Sequence, residues 1–203
     1  MINSIFFCGA LITMTDKHFS NQNIEGIVAH SYVRYTFDIQ CKSFSFDGIP
    51  VEWKTKPFVD GKDATFFHLI TVQYKNRDQY CCPDQSITCD RDFDYNPMMS
   101  DEYVLEKKRS ICGFRIIHML TLLDVFNKKD NLIWKKRVHG SGGVKDRFYI
   151  LDQEHKYFVV LQQNNNGTIV LWTAYPISSN KVKDLKRDYK KNKDGIRHTL
   201  SVK

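Results

Sequence analysis

The sequence lacks several features that would place a protein in a well-defined class. No apolar run reaches the roughly 18 residues that a bilayer-spanning helix needs. There is no glycine-rich phosphate loop of the nucleotide hydrolases, no nucleophile elbow of the serine hydrolases and no internal repeat. These absences exclude a helical membrane protein and give no support to nucleotide hydrolysis or serine-based hydrolysis.

The six cysteines do not have the spacing of a metal site. The sequence contains no Cys-x-x-Cys pair, and no histidine stands at zinc-finger distance from a cysteine. The apolar stretch 5–12 is short and has no basic residue before it, unlike a standard secretory signal. We therefore expect reduced thiols, a cytoplasmic location, and no metal ion or other cofactor.

Aromatic residues and positive charge are what the sequence does have. Its 203 residues include 14 Phe, 10 Tyr and 3 Trp, which is enough apolar surface for one packed domain and excludes disorder throughout. The net charge is +7, and the segment 180–203 alone carries nine Lys or Arg against three Asp. Such a segment indicates either a polyanionic partner or a solvated helix.

The first half of the chain combines strand-like and loop-like patterns. Polar and apolar residues alternate over 32–46, which predicts a half-buried strand. Asp47-Gly48 predicts a two-residue hairpin, with 49–54 as the return strand. A turn precedes the apolar run 65–72, and the Asp-rich segment 75–100 is expected to be a long loop.

One long helix is predicted next, from Ser100 or Asp101 to about Phe126. Apolar residues recur there close to the helical period of 3.6, although Gly113 lies inside the segment.

The second half of the chain contains four strand-like segments separated by short turns, which predicts an antiparallel meander: 132–138, 147–151, 157–162 and 168–174. Ser178 or Ser179 is expected to cap a final helix that presents Val182, Leu185 and Tyr189 on one face. The expected fold class is α+β, with the antiparallel meander packed against one long helix.

Three segments together resemble a known nuclease family. They are Asp60–Ile70 (DGKDATFFHLI), Leu105–Arg115 (LEKKRSICGFR), and the strand pair Tyr157–Leu161 and Leu171–Pro176 (YFVVL and LWTAYP) that precedes the basic helix. In order and spacing, these segments resemble the phage-associated nucleases of the barnase–EndoU–colicin–RelE-like class. The resemblance covers most of the chain and implies a barnase/RelE-like fold.

The resemblance also implies a division of the chain and an activity. Residues 45–191 would form the nuclease domain, 192–203 a basic tail, and 1–44 an N-terminal extension or the first strand of the domain. The implied activity is metal-independent, toxin-like cleavage of RNA, in which the ribose 2′-hydroxyl attacks the adjacent phosphate and leaves a 2′,3′-cyclic phosphate. RNA would be the main partner, and an antitoxin or immunity protein would be a further one.

Four residues are implied as catalytic by the same resemblance. His68 would act as acid or base, Arg115 and Thr173 would bind phosphate, and Tyr175 would assist. Further basic residues are expected to contact the RNA backbone: Lys107, Arg109, Lys145, Arg147, Lys183, Lys186 and Arg187.

The residues themselves leave other interpretations open. In a strand, His68 would be a buried structural histidine, and Arg115 would be a solvated charge on the predicted helix. Thr173 alternates with Leu171 and Tyr175, so the three are predicted to share one face of their strand, where a threonine can simply be a strand-forming residue.

The helix segment departs from the family pattern. Arg109 and Gly113 stand where the family carries a Glu and a Trp. A catalytically inactive relative that binds RNA or a protein is therefore the alternative function.

Overall fold

The computed structural model describes residues 5–7, 10–12, 24–54, 62–73, 109–140, 143–193, 195–196 and 198–203. Within these ranges, no helix has both the length and the hydropathy of a membrane span. The elements in chain order are β1 (Ile5–Phe7), β2 (Ala10–Ile12), α1 (Ile24–Arg34) with a π-helical continuation (Tyr35–Gln40), β3 (Phe44–Phe46), β4 (Ile49–Glu52), α2 (Ala64–Ile70), β5 (Thr71–Gln73), β6 (Arg109–Ile111), α3 (Gly113–Ile117), α4 (Thr121–Asn127), β7 (Leu132–Gly140), β8 (Gly143–Asp152), β9 (Tyr157–Gln163), β10 (Ile169–Pro176), α5 (Ser179–Asn192) and β11 (Leu200–Val202).

Seven strands form one mixed sheet in the order β11-β3-β4-β10-β9-β8-β7. The strands β7 to β10 pair antiparallel in chain order, so the predicted meander is confirmed. The pair β4–β10 is parallel and short, with Val51 opposite Ile169 and Glu52 opposite Val170. The fold class is α+β, as expected.

Helices pack against both faces of the meander. On β8, Phe148 and Ile150 belong to a core cluster that packs against α1, α2 and α4. Tyr149 and Leu151 alternate with them and belong to a second cluster, on the opposite face, that packs against α5. We call these the first and second faces of the sheet.

The final helix forms as its sequence predicts. The Ser178 side chain accepts a hydrogen bond from the backbone N–H of Lys181 and so caps α5. Val182, Leu185 and Tyr189 pack into the second-face cluster.

The single long helix predicted over 101–126 is wrong. Residues 109–111 form the strand β6, and two short helices, α3 and α4, follow with a turn at 118–120 between them. Gly113 begins α3, because Cys112 before it has extended backbone angles (φ −124°, ψ 109°). The apolar residues that suggested one helical period are thus divided among three elements. Residues 101–108 and the loop predicted over 75–100 lie outside the described residues.

The strand predicted over 32–46 is also wrong for most of its length. Residues 32–40 are helical, and only Phe44–Phe46 form a strand. The buried residues Val28, Tyr35 and Ile39 lie seven and four positions apart, which is helical spacing. An alternating segment can be compatible with both the strand period and the helical period. Here, packing against the first face of the sheet favours the helix.

Residues 65–70 of the apolar run 65–72 are helical as well, so the strand interpretation of His68 is wrong. Asp63 is the N-cap of α2, and its carboxylate accepts a hydrogen bond from the backbone N–H of Phe66 at 3.0 Å. Thr71 and Val72 then enter the short strand β5.

The hairpin predicted at Asp47-Gly48 is confirmed, and it also holds the last strand of the sheet. Both residues have positive φ, 50° and 77°, as a tight hairpin turn requires. The Asp47 carboxylate accepts a hydrogen bond from the Thr199 backbone N–H at 2.7 Å and contacts His198 Nδ1 at 2.7 Å. The His198 ring stacks on Phe46. These contacts fix the start of β11 beside β3.

Residues on both sides of the expected boundaries at 44 and 192 contribute to this one sheet and its core. Tyr35 and Ile39 are fully buried in the first-face cluster. The strand Leu200–Val202 pairs with Phe44–Phe46.

Replacing Asp63 with alanine is expected to lower the free energy of unfolding by about 2 kcal/mol, because it removes a helix cap and a buried acceptor of the Tyr35 hydroxyl. Asp63→Asn keeps both acceptor bonds and should lose much less.

Burial raises the pKa of Asp63, so the protonated carboxyl group stabilises the folded state. This stabilisation is complete below the unfolded-state pKa of about 4, and it is lost as the pH rises through the folded-state pKa. Chemical denaturation of the wild type and both variants at several pH values measures these effects. Equal stability of the alanine and asparagine variants would contradict them.

Candidate functional site

A pocket of about 240 Å³ opens where β4 separates from β10. The two strands pair only as far as Glu52 and Val170, and α2 then packs beside β10. The Thr65 hydroxyl accepts from the Lys54 N–H and donates to the Lys54 carbonyl, which fixes the helix to the end of β4. The pocket is lined by Lys54, Thr65, His68, Gln162, Asn164, Val170, Leu171 and Trp172.

A β-bulge in β10 presents Trp172 to this pocket. Leu171 pairs with Leu161 and Thr173 pairs with Val160, so Trp172 is the extra residue of the strand. Its side chain is 39% exposed, although most large apolar residues of the sheet are buried. Trp172 was not among the residues predicted for the site, because the bulge depends on the pairing with β9.

The bulge also corrects the predicted face of β10. Leu171 and Ala174 both belong to the first-face cluster, whereas Tyr175 belongs to the second-face cluster. Leu171, Thr173 and Tyr175 therefore do not share one face, because the extra residue reverses the alternation between Leu171 and Ala174.

Two cations lie near the exposed indole ring. The Arg147 guanidinium carbon is 4.6 Å from the Trp172 ring centroid, and Lys54 Nζ is 6.0 Å from it. Arg147 comes from β8 and Lys54 from the end of β4, so the tertiary fold brings them to the ring. They give the pocket a positive potential next to an aromatic surface.

A chain of hydrogen bonds connects Arg147 to the turn between β9 and β10. Arg147 Nε donates to Gln162 Oε1 at 3.2 Å, and Gln162 Nε2 donates to Asn164 Oδ1 at 3.5 Å. Asn164 Nδ2 donates to Thr168 Oγ1 at 3.1 Å, which donates to Asn166 Oδ1 at 2.9 Å. Because a guanidinium can only donate, Arg147 fixes the orientation of the amides along the chain.

His68 lies on the outer side of α2 and lines the pocket together with Trp172. It is partly exposed, unlike the buried residues Phe67 and Leu69 on either side of it. An imidazole at this position is accessible to a ligand in the pocket and can act as a general acid or base.

Arg115 is a buried arginine, only 6% exposed, and not the solvated helix charge of the simplest interpretation. Its Nη1 donates to the backbone carbonyls of His68 and Thr71 at 3.3 and 2.5 Å. Its guanidinium carbon lies 4.6 Å from the centroid of the Tyr175 ring. Arg115 therefore connects the end of α2 to β10.

The four expected catalytic residues are close in space, but only His68 is among the described residues that line the pocket. Arg115 contacts the His68 backbone on one side and Tyr175 on the other. Tyr175 packs edge-on against Phe158 in the second-face cluster. Thr173 directly follows Trp172 and is partly exposed.

Five of the expected RNA-binding residues are described, and they lie on β8 and on α5. Arg147 lies at the pocket, and Lys145, two residues before it, donates to Asn165 at 2.8 Å. The helix α5 covers the Phe158 end of the same second face, and its outer surface exposes Lys183, Lys186 and Arg187. Arg187 is paired with Asp184. Lys107 lies outside the described residues, and of Arg109 only the backbone in β6 is described.

The described residues contain no group of three or more His, Cys, Asp or Glu side chains that could hold a metal ion. In the same part of the chain, Cys41 is an exposed free thiol.

Comparison with protein-family models, with curated proteins and with solved structures finds no match. The nuclease resemblance of the three sequence segments thus remains a prediction.

Proposed function

We propose that the protein is a metal-independent RNA endonuclease that acts at the pocket between α2 and β10. The observation that carries this proposal is the position of His68 in one pocket with an exposed indole that has two cations near it. Single-stranded RNA offers what such a pocket binds, namely bases that stack on aromatic rings and phosphates that attract Lys and Arg.

The proposed reaction needs one group that moves protons and cations that stabilise the phosphorane. His68 takes the proton of the ribose 2′-hydroxyl, and the 2′-oxygen forms a bond to phosphorus while the bond from phosphorus to the 5′-oxygen breaks. The imidazolium then returns the proton to the departing oxygen. Lys54 and Arg147 are the cations placed to stabilise the charge that develops on the phosphate.

Replacing His68 with alanine is expected to reduce RNA cleavage by at least about 100-fold, because general acid–base catalysis typically contributes that much. Purified protein is incubated with total RNA in EDTA, and the product ends are analysed for 2′,3′-cyclic phosphate. His139→Ala is the matched control, since this exposed histidine lies at the far end of β7 and not in the pocket. Unchanged cleavage in the His68 variant would contradict the proposed acid–base role.

A binding module without catalysis is the second candidate. It is favoured by the burial of Arg115 and by the position of Tyr175 in the second-face cluster, which leave one of the four expected catalytic residues in the pocket. Salt-sensitive RNA binding with no product in the same assay would support this function instead.

A further inference from the structure

Several polar side chains of the pocket offer hydrogen-bond donors to a ligand. Lys54 and the Trp172 indole can only donate. The oxygens of Gln162 and Asn164 already accept within the chain that starts at Arg147, while each amide nitrogen uses one of its two hydrogens. Both amides therefore retain one N–H for a ligand.

The orientation of these amides is set by their neighbours. Arg147 requires the oxygen of Gln162 to face it. Thr168 gives its hydroxyl proton to Asn166, so it accepts from Asn164, which requires the nitrogen of Asn164 to face it. Gln162 is only 8% exposed, so its amide is held in a nearly closed environment. A fixed, buried donor discriminates between ligands more strongly than a mobile surface one.

We infer that the pocket binds a single keto nucleobase, uracil or guanine, stacked on Trp172. Uracil and guanine carry carbonyl oxygens where cytosine and adenine carry amino groups. A carbonyl edge accepts from the remaining N–H groups of Gln162 and Asn164, whereas an amino edge places a donor against these donors. The base site rests on the proposed function in taking RNA as the ligand, but it concerns recognition and not cleavage.

The direct test compares 2′-fluoro oligomers of uridine and of cytidine, which differ in the base edge and lack the attacking hydroxyl. Binding is followed by fluorescence anisotropy, with an abasic oligomer of the same length as reference. The uridine oligomer is expected to bind about tenfold more tightly than the cytidine oligomer, because an unpaired buried donor costs roughly that much. Equal affinities for the two oligomers would overturn the keto preference.

Two variants assign the effect to the pocket. Trp172→Ala is expected to lower affinity for the uridine oligomer about tenfold, towards that of the abasic one, because it removes the stacking surface. Gln162→Glu replaces the amide donor by an acceptor of the same shape and should remove the preference for uridine. Gln163→Glu is the matched control, since it makes the same change one residue along β9, on the opposite face.

The base site and the nuclease activity fail in different experiments. Uridine preference without RNA cleavage would leave the base site standing and remove the endonuclease. Cleavage that depends on His68, together with equal affinities for the uridine and cytidine oligomers, would support the endonuclease and remove the base site. A uridine oligomer that binds no better than the abasic one, or a preference that survives Gln162→Glu, would overturn the base site itself.

Discussion

Replacing Asp152 with alanine is expected to lower the free energy of unfolding by about 3–5 kcal/mol, the range found when one partner of a buried ion pair is removed. The Asp152 side chain is fully buried at the end of β8. Its carboxylate accepts from Lys128 Nζ at 3.0 Å and from the Glu154 backbone N–H at 3.0 Å, and it contacts His155 Nδ1 at 2.6 Å. Its loss therefore leaves Lys128 and the β8–β9 turn without their shared acceptor.

The stability that the Asp152 carboxylate contributes depends on pH. Burial alone would raise the pKa of Asp152, but hydrogen bonds from His155 and Lys128 outweigh it and hold the pKa below the ordinary value. A depressed folded-state pKa stabilises the protein above the unfolded pKa of about 4, and that stability is lost as the pH falls through the folded pKa. The difference between wild type and Asp152→Asn should therefore shrink in acid.

Urea denaturation at neutral and acidic pH measures both effects. Asp130→Ala is the control, because Asp130 is 78% exposed and 4.0 Å from the same lysine, so its removal should change stability by less than about 0.5 kcal/mol. Similar losses in the two alanine variants would show that burial does not decide the strength of this ion pair.

Replacing Arg115 with methionine is expected to cost about 3 kcal/mol of folding stability. The change removes the hydrogen bonds that Arg115 donates to the carbonyls of His68 and Thr71, and it removes the guanidinium from the face of Tyr175. Arg115→Lys should recover only part of the loss, because one ammonium cannot reproduce a planar group that bonds the end of α2 and stacks on an aromatic ring.

This result would separate a structural Arg115 from a phosphate-binding one. If Arg115 is structural, the Arg115→Met variant should show faster hydrogen exchange in α2 and lower stability. If Arg115 binds phosphate, the variant should bind RNA more weakly, with unchanged stability. Lys186→Met is the matched control, since this exposed lysine on α5 should change stability by less than about 0.5 kcal/mol. Unchanged unfolding of Arg115→Met would contradict the structural role.

The meander and the last helix could be predicted because their signals are local. Each strand is a short apolar or alternating segment bounded by a turn, and Ser178 caps α5 one residue before it starts. The helices before β7 could not be assigned correctly, because the segment 109–127 mixes apolar residues of three elements. Only the packing against the sheet decides how such a segment is divided.

The site was predictable in part for the same reason. His68 and Arg147 were selected from the sequence, and both are at the pocket. Trp172 and Lys54 were not, because the bulge at Trp172 and the position of Lys54 depend on pairings between distant strands. Arg115 was expected to bind phosphate or to be a solvated helix charge, because a sequence pattern shows the charge of a residue and not the carbonyls that surround it.

The pairing of β11 with β3 has a consequence for how the protein is made. Ser45 and Ser201 meet across this pair although they are 156 residues apart in the chain. During synthesis, the hairpin of β3 and β4 emerges early. The outer edge of β3 stays unpaired until residues 200–202 have left the ribosome. Contacts of such long sequence separation form slowly, and an unpaired edge can pair with another chain meanwhile. Folding of the newly made chain should therefore be most vulnerable to aggregation just before β11 becomes available.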